Sequence, residues 1–579
     1  MFRGWFVTSG LIALASLASA CATKTLDCDA ANNCIALEDT GTEGEGDTED
    51  EGDTGGTSDP PLYINKDVDI LFVIDNSGSM GEEQALLAAN VGSFIEVLEQ
   101  KGVDANYRIG ITTTDNGNPW CPAGTTTPEA GKLVLSSCKH RLGDFLFGND
   151  VDVRDLACND ICTLDDFELE ILPTTTDVDP NPAPRPWLER IEGKKNIPDS
   201  TSTADAFRCF GPQGVNGCGF ESQLESMYLA LVRAQTPDEA SYGFIRPNAI
   251  LAVVIVTDEA DCSSNKDWSV IFDADGNKAF WSDPTAAYPT SAVCWNAGVE
   301  CHGDPSGYSE CVAVDKDVNG NLTGDPASAV LHPMSRYVGL LQGIEDQKRM
   351  LNADQDIIVA LIGGVDSGGQ PHYADVGASD PGFQDNFGIG PGCQAPNPLD
   401  PNSPIQAVPP VRLRDLTEAF TPNNMFSICD NDYSPALAAI ANRIGDQIQP
   451  ACYTRCAADT NPDTPVLEPQ CTVAERPLGQ PTGTPIPECL RDGQGYVIDP
   501  QTNDHAMPSD DANVCFAYRV DPGGFTPDPH DDMSPQCVDE GWNLEFVIVR
   551  RPGFPAAGGT SIKAECLLAA DPAVTCPGL

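Results

Sequence analysis

Three oxygen-bearing side chains alternate in the segment DNSGSM, which directly follows the apolar run DILFVI. They are Asp75, Ser77 and Ser79, and a second apolar run, AILAVVIV, ends just before Thr257 and Asp258. Carboxylate and hydroxyl oxygens are hard ligands, which suit Mg²⁺, Ca²⁺ or Mn²⁺. One serine alone would be explained as a helix N-cap. An aspartate with two serines, and an aspartate after another apolar run, predict a divalent-cation site.

Strands that alternate with helices must position these residues. The apolar runs show no polar alternation, which is typical of strands covered on both faces, and helical periodicity follows them. Predicted strands are 69–74, 107–114, 249–258, 356–363 and 424–430, and predicted helices lie near 86–98, 220–235, 335–347, 412–420 and 434–448. This alternation predicts an α/β fold with a doubly wound, mainly parallel sheet.

Three long irregular stretches interrupt the alternation, at 116–217, 263–333 and 366–410. Each follows a strand and precedes a helix, so all three should emerge at the carboxyl ends of the strands, where ligands bind in open α/β sheets. We expect them to form a disulfide-linked cover over that edge. Their cysteines are Cys121, Cys138, Cys158, Cys162, Cys209, Cys294, Cys301, Cys311 and Cys393.

With DNSGSM after one strand and VTDE at the end of a later one, the chain resembles von Willebrand factor A (vWA) and integrin I domains. The resemblance covers residues 66–449 once the insertions are removed. It implies a metal-ion-dependent adhesion site, which in that family combines an Asp-x-Ser-x-Ser loop, a threonine from a second loop and an aspartate from a third. Asp75, Ser77 and Ser79 match the first loop, and Asp258 matches the third.

The second loop departs from the family pattern. No threonine stands at the matching position near Cys218 in GVNGCGFESQLES. Glu221 could take its place, or Thr201 or Thr203 could approach from the insertion. A directly bound Glu221 would reduce the attraction of the metal for a partner's carboxylate, so retention of the metal is favoured over integrin-like carboxylate capture.

Weaker signals lie elsewhere. Asp115 and Asp261 follow strands, and they fit a solvated acidic rim better than a metal site. The segment 315–326 has part of an EF-hand pattern but ends in proline, which favours a turn. VDSGG, with Ser367, resembles the nucleophile segment of chymotrypsin-like proteases, but no histidine of the sequence lies in the histidine motif that those enzymes need. A hydrolase is therefore the least supported function, and we expect no enzyme activity.

Charge and leader sequence indicate an exported protein. The 579 residues include 32 basic and 87 acidic side chains, for a net charge of −55, and such a polyanion disfavours nucleic acid as a partner. Residues 1–20 have the layout of a signal peptide, and ASAC, ending at Cys21, resembles a bacterial lipobox. Lipidation at Cys21 implies an outer-membrane lipoprotein of the cell envelope, either periplasmic or surface-exposed, that contacts the membrane through its anchor only.

Composition also divides the remaining chain. Residues 21–65 include a segment without hydrophobic side chains at 38–59, which predicts a disordered acidic linker. Residues 450–579 carry eight of the 23 cysteines and predict a small β module with disulfide bonds.

Two functions remain open. One is adhesion to a protein or glycan through the metal and its cover, and the other is a structural role in an envelope assembly.

Overall fold

The computed structural model describes the strand residues Asp27–Cys28 and Cys34–Ile35 and then residues 65–576, apart from short gaps at 101–102, 122–125, 149–150, 352–354, 378, 397–403, 449, 478–481, 494, 501, 552–553, 555 and 557–559. It divides the chain into two compact units, Met1–Ser58 and Asp59–Leu579. In the first unit, the described strands Asp27–Cys28 and Cys34–Ile35 pair in antiparallel fashion. The expected signal peptide, the lipidated Cys21 and the acidic segment 38–59 lie outside the described residues.

A seven-stranded, mainly parallel sheet forms the centre of the second unit. Its strands are β1 (Asp67–Ile74), β2 (Asn106–Thr113), β3 (Leu188–Ile191), β4 (Lys194–Lys195), β5 (Ile250–Val256), β6 (Ile358–Gly363) and β7 (Met425–Ser427). They are arranged in the order β7-β6-β5-β1-β2-β3-β4. The strands from β7 to β2 are parallel, and β3 and β4 are antiparallel to their neighbours. The predicted mainly parallel α/β sheet is therefore confirmed.

Helices cover both faces of this sheet. They are α1 (Gly81–Glu99), α2 (Thr203–Phe210), α3 (Gln223–Ala234), α5 (Met334–Arg349), α7 (Val411–Phe420) and α8 (Ser434–Gln447). Two shorter helices, α4 (Ala292–Gly298) and α6 (Pro381–Phe387), lie in the second and third insertions and pack in separate apolar clusters. Successive side chains of a strand point to opposite faces. Phe72 accordingly packs in a core with α1, α2 and α8, whereas Leu71 and Val73 pack in a second core with α3, α5 and α7.

The first insertion contains regular structure that its sequence did not reveal. Strand β3 lies within 116–217 and extends the sheet beside β2. It has only four residues, LERI, which is too short for a periodic signal. Its pairing is supported by tertiary contacts, because Arg108 on β2 forms a buried ion pair with Glu189 at 2.8 Å. The Trp187 indole also donates to Glu189, at 3.1 Å.

Ten disulfides cross-link the described residues. Six lie between Cys121 and Cys429, and they join Cys121–Cys218, Cys138–Cys158, Cys162–Cys209, Cys262–Cys294, Cys301–Cys311 and Cys393–Cys429. The predicted disulfide use of the insertion cysteines is confirmed. Paired two- to seven-residue strands also occur there, at Leu146–Phe147 with Val151–Asp152, Val299–Asp304 with Gly307–Ala313, and Cys393–Ala395 with Ile405–Ala407.

Residues after 450 form short antiparallel sheets with their own four disulfides, which join Cys452–Cys537, Cys456–Cys576, Cys471–Cys566 and Cys489–Cys515. The strands are Ala451–Cys452, Cys471–Arg476, Thr484–Ile486, Arg491–Asp492, Gly495–Tyr496, Ile498–Asp499, Asp504–His505, Val514–Arg519, Glu545–Arg550 and Ser561–Cys566. Helices α9 (Pro535–Asp539) and α10 (Pro572–Thr575) complete this part. It belongs to the same compact unit as the central sheet.

The helices that the structure describes include none with the length and apolar character needed to span a membrane.

Candidate metal centre

The predicted site lies where the sheet changes its winding direction. From β1 the chain moves outward through β2 and β3, and it later returns to β5 on the other side of β1. In open α/β sheets the crevice at such a switch point, outside the carboxyl ends of the strands, is the usual ligand site. The backbone N–H of Asp75 donates to the Val256 carbonyl at 2.9 Å, so the loops after β1 and β5 begin side by side.

Asp75 is fully buried and surrounded by hydrogen-bond donors. Its Oδ1 accepts from the Ser77 backbone N–H at 2.9 Å and from the Thr114 hydroxyl at 3.3 Å. Its Oδ2 accepts from the Thr257 hydroxyl at 2.5 Å. Burial raises the pKa of Asp75, and these hydrogen bonds offset part of the rise. The carboxylate is thus held in one orientation by the ends of β2 and β5.

Ser77, Ser79 and Asp258 lie beside this carboxylate, as their order in the sequence predicted. The two serine hydroxyls are 3.3 Å apart, and Asp258 accepts a hydrogen bond from the Ser79 side chain. Ser79 is exposed to solvent, while Ser77 and Asp258 are buried. The four residues of the predicted first and third loops therefore form one cluster that opens to solvent at Ser79.

Gln84, on the first turn of α1, holds the first loop against the end of the first insertion. Its side-chain N–H groups donate to the Asp75 and Gly214 carbonyls, each at 2.7 Å. Its side-chain oxygen accepts from the Gln213 and Gly214 backbone N–H groups at 2.8 and 3.0 Å. The backbone N–H of Gly217 also donates to the Asn76 carbonyl, at 2.8 Å. The insertion is therefore part of the site's framework.

The structure places Glu221, and not the two insertion threonines, at the second-loop position. Thr203 accepts from the Tyr107 hydroxyl at 2.6 Å, at the amino end of β2, and Thr201 donates to the Glu168 carbonyl at 2.9 Å. The alternative that either threonine reaches the metal loop is therefore wrong for this structure. Glu221 is buried, and it interacts electrostatically with Asp75 and Asp258.

The sequence predicted that Asp115 and Asp261 belong to a solvated acidic rim. This prediction is wrong, because both side chains are buried. Asp115 accepts from the backbone N–H groups of Gly117 and Cys218 at 2.9 and 3.3 Å. Asp261 caps α3 by accepting from the Leu224 N–H at 3.1 Å, and it pairs with buried Arg412 at 2.9 Å. Each carboxylate is occupied in holding a loop that borders the site.

Sequence reasoning missed two further buried carboxylates, Glu83 and Glu259. Glu83 lies on the first turn of α1, and Glu259 directly follows Asp258. Burial raises the pKa of Glu83 well above its ordinary value, and repulsion by Asp258 adds to the rise. Burial also raises the pKa of Glu259 well above its ordinary value, and repulsion by Asp258 and Asp75 contributes less to the rise. The sequence offered a signal for Glu259 alone, since it adjoins Asp258 at the end of an apolar run.

The pKa values of Asp258 and Glu221 are raised for related reasons. Burial, and then repulsion by Asp75, raises the pKa of Asp258 to about 7. Burial raises the pKa of Glu221 well above the ordinary value, with further repulsion from Glu259 and Asp75. The charges that act most on these groups are other carboxylates, so a bound cation would relieve an unfavourable concentration of negative charge.

Buried oxygen atoms without hydrogen-bond partners also indicate a cation at this edge of the sheet. Asp258 Oδ1, Glu83 Oε2 and Glu259 Oε2 are shielded from solvent without a hydrogen-bond partner, as are the side-chain oxygens of Asn76 and Gln223. Buried polar atoms are normally paired. Hard oxygen atoms in this number fit Mg²⁺, Ca²⁺ or Mn²⁺.

The carboxylates of this centre are spread among hydroxyl and amide groups. Among the described residues, the one group of three acidic side chains whose ligand atoms all lie within 4.8 Å of one another is Asp521, Asp531 and Asp532, after residue 450. A cation at the β1–β5 edge would therefore be shared between carboxylate and hydroxyl oxygens. This is the ligand mixture that the spacing of Asp75, Ser77 and Ser79 predicts.

Comparisons with known proteins give no family assignment. No family model matches the chain, and no curated protein matches it. Two structures of the pilus adhesin SpaC from Lactobacillus rhamnosus GG are similar to it at 10% sequence identity, with TM-scores of 0.26 for the open conformation and 0.27 for another form. The matches cover 89% and 88% of this chain but 54% of each SpaC chain. The chain thus spans about half the length of these structures, and similarity at this level carries no argument about function.

Proposed function

We propose that this chain is an exported, vWA-like binding protein that holds a divalent cation, Mg²⁺ or else Ca²⁺ or Mn²⁺, and recognises a protein or glycan at the cell envelope. It is not an enzyme in this proposal. The chain is lipidated at Cys21, and the anchor is its sole contact with the outer membrane. Nucleic acid is not a partner, because the net charge of −55 repels phosphate.

One observation carries the cation-binding part. Asp75 and Asp258 lie in the loops that follow the neighbouring strands β1 and β5, at the switch point of the sheet. Asp258 interacts with the charge of Asp75 and accepts a hydrogen bond from the Ser79 side chain. A buried oxygen of Asp258 has no partner there. The strand order and the antiparallel edge strand β3 support the vWA interpretation, since the doubly wound arrangement brings the three predicted loops to one edge.

The charge of the site bears on how a partner would be recognised. Asp75, Glu83, Glu221, Asp258 and Glu259 are all buried near the proposed cation. One divalent ion balances two of these carboxylates, which leaves a negative environment that disfavours a further carboxylate from a partner. The cation therefore holds the loops in place, and recognition uses the surface that those loops and the insertions form around Ser79.

Titration calorimetry tests the cation site. We expect Mg²⁺, Ca²⁺ or Mn²⁺ to release heat with the wild-type chain and to lose this response in Asp75→Ala, because Asp75 is the central buried carboxylate. Glu82→Gln is the matched control, since Glu82 is a half-buried neighbour on α1. Equal heats for wild type and Asp75→Ala would remove the site from the proposal.

Chelation distinguishes adhesion from the alternative, a structural component whose metal only stabilises a loop. The assay is capture of envelope proteins or glycans by the immobilised chain, with and without EDTA. In the adhesion proposal EDTA abolishes capture, and Mg²⁺ restores it. In the structural alternative EDTA lowers the melting temperature while capture at 20–25 °C persists. A captured partner that ignores EDTA and the Asp75→Ala substitution would therefore favour the structural role.

A further inference from the structure

A polar cavity of about 330 Å³ lies at the amino edge of the sheet, the edge opposite the candidate metal centre. Asp67, the first residue of β1, lines it, whereas Asp75 follows the other end of that strand. The remaining walls come from β2, β3, β4 and residues 173–177 of the first insertion. The volume lies within the range of about 300–1,000 Å³ that is usual for small-molecule sites.

The charge of this cavity differs from that of the chain as a whole. Four basic and three acidic side chains line it, whereas the chain carries 32 basic and 87 acidic ones. The basic residues are Arg108, Lys194, Lys195 and Arg246, and the acidic residues are Asp67, Asp177 and Glu189. An anionic group that the chain elsewhere repels can therefore be accommodated here.

Two of the three carboxylates are already paired within the protein. Glu189 accepts from Arg108 Nε at 2.8 Å, and Asp67 pairs with Arg246 Nη1 at 3.0 Å. Arg246 is in turn fully used, because its Nε donates to buried Asp69 at 2.8 Å and its Nη2 donates to two backbone carbonyls. Glu189 and Asp67 are therefore engaged by donors of the protein and do not neutralise the other basic groups of the cavity.

Arg108 and Lys194 supply the donors that remain. Arg108 is buried, and its Nη1 donates to the Gly243 carbonyl at 2.7 Å. Among the described residues, no acceptor pairs with its Nη2. Lys194 is exposed on β4, and the described part of the chain provides neither a hydrogen bond nor an ion pair for its ammonium group. Lys195, by contrast, donates to two backbone carbonyls. One guanidinium N–H group and one ammonium group thus line the cavity with unused donors.

The insertion contributes acceptors to the same cavity. Thr175 and Asp177 are both exposed, and neither side chain has a hydrogen-bond partner within the residues that the structure describes. An ionised carboxylate accepts hydrogen bonds from hydroxyl groups and donates none. It also repels a second anionic group. A ligand that matches all these groups carries one negative charge and several hydroxyl groups.

We propose that this cavity binds a small hydroxylated carboxylate, the chemical class of the hexuronic acids. The ligand carboxylate pairs with Arg108 Nη2 and the Lys194 ammonium group, since hydrogen bonds between charged partners are the stronger ones. The ligand hydroxyl groups bond to Asp177 and Thr175. This site does not depend on the proposed cation, because the two lie at opposite edges of the sheet.

Titration calorimetry of the full, metal-depleted chain with intact disulfides tests the proposal, and glucuronate is the probe. Lys194→Gln should weaken glucuronate binding about tenfold or more, because it removes a charged hydrogen bond. Lys132→Gln is the matched control, since Lys132 is an exposed lysine outside the cavity lining. Acetate, which has the carboxylate alone, and glucose, which has the hydroxyl groups alone, should each bind more weakly than glucuronate.

The opposite results would overturn the site. It is refuted if glucuronate releases no heat with the wild type, or if Lys194→Gln and Lys132→Gln bind it equally. Acetate or glucose that binds as tightly as glucuronate would refute the ligand class. Asp177→Ala provides a second exposed variant, and it should reduce the preference for glucuronate over acetate; an unchanged preference would contradict the role of Asp177.

Discussion

Substituting Asp258 by asparagine should stabilise the metal-free protein and weaken its response to metal. Burial and repulsion by Asp75 raise the pKa of Asp258 from 3.8 to about 7. At about 1.4 kcal/mol per pH unit, this rise corresponds to roughly 4 kcal/mol. Asparagine carries no charge to bury, and its side-chain oxygen can still accept from the Ser79 hydroxyl.

The sign of the pH dependence follows from proton linkage. The folded state binds the Asp258 proton more tightly than the unfolded state, so stability falls as pH rises between 3.8 and about 7. The penalty is absent below pH ~4 and complete above pH ~7. We therefore expect Asp258→Asn to stabilise the metal-free protein by up to roughly 4 kcal/mol more at pH 8 than at pH 4. Added Mg²⁺ should reverse the order, because the variant lacks an anionic ligand.

Urea unfolding at pH 4, 6 and 8, in EDTA and in Mg²⁺, measures these effects while the disulfides remain intact. Glu82→Gln serves as the control for removing an acidic residue from the same loop region. The reasoning is refuted if Asp258→Asn changes stability by the same amount at every pH in EDTA. It is also refuted if Mg²⁺ stabilises the variant as much as the wild type at pH 8.

Three further predictions follow from the framework of the site. Gly217→Ala should weaken cation binding in calorimetry, because the added Cβ would clash with the Asn76 side chain and lie 2.7 Å from the Asn76 carbonyl oxygen; Gly219→Ala, whose nearest neighbour would be 3.7 Å away, should bind normally. Asp261→Asn should destabilise the chain by about 3–5 kcal/mol in urea unfolding, because it leaves a buried arginine unpaired, whereas Asp205→Asn at an exposed ion pair should cost under ~1 kcal/mol. Limited proteolysis under reducing conditions should cut the three insertions before the sheet strands, as judged by fragment masses; initial cuts within the strands would contradict the disulfide-supported cover.

The central strands could be predicted because burial on both faces leaves a sequence signal that needs no tertiary knowledge. DILFVI and AILAVVIV are continuous apolar runs, and both form fully covered strands. Strand β3 could not be found in this way. Its four residues, LERI, show no polar–apolar alternation, and its Glu189 pairs with Arg108 from β2. Local pattern therefore identifies the centre of the sheet but not the edge that long-range contacts create.

The same division applies to the candidate site. The proximity of Asp75, Ser77, Ser79 and Asp258 was predictable because they lie in the loops that follow β1 and β5, and parallel strands bring their carboxyl ends to one edge. Glu83 gave no such signal, since a glutamate in the first turn of a helix usually interacts with the helix dipole in solvent. Its surroundings include distant segments of the chain, since Tyr433 before α8 interacts with its charge.

Glu221, in the loop before α3, brings a buried charge to the candidate site. A threonine contributes a neutral oxygen, whereas Glu221 contributes a charge that must be balanced after burial. Thr257 and Thr114 already direct hydroxyl groups at Asp75 from the ends of β5 and β2, so neutral ligands are not lacking. With Glu221 and Glu259 buried at this edge, the chain would attract cations more strongly at the expense of its metal-free stability. The disulfides across the neighbouring loops offset that loss, because they restrict the unfolded state. We therefore expect reduction of the disulfides and removal of the cation to destabilise the loops after β2 and β5 more than additively.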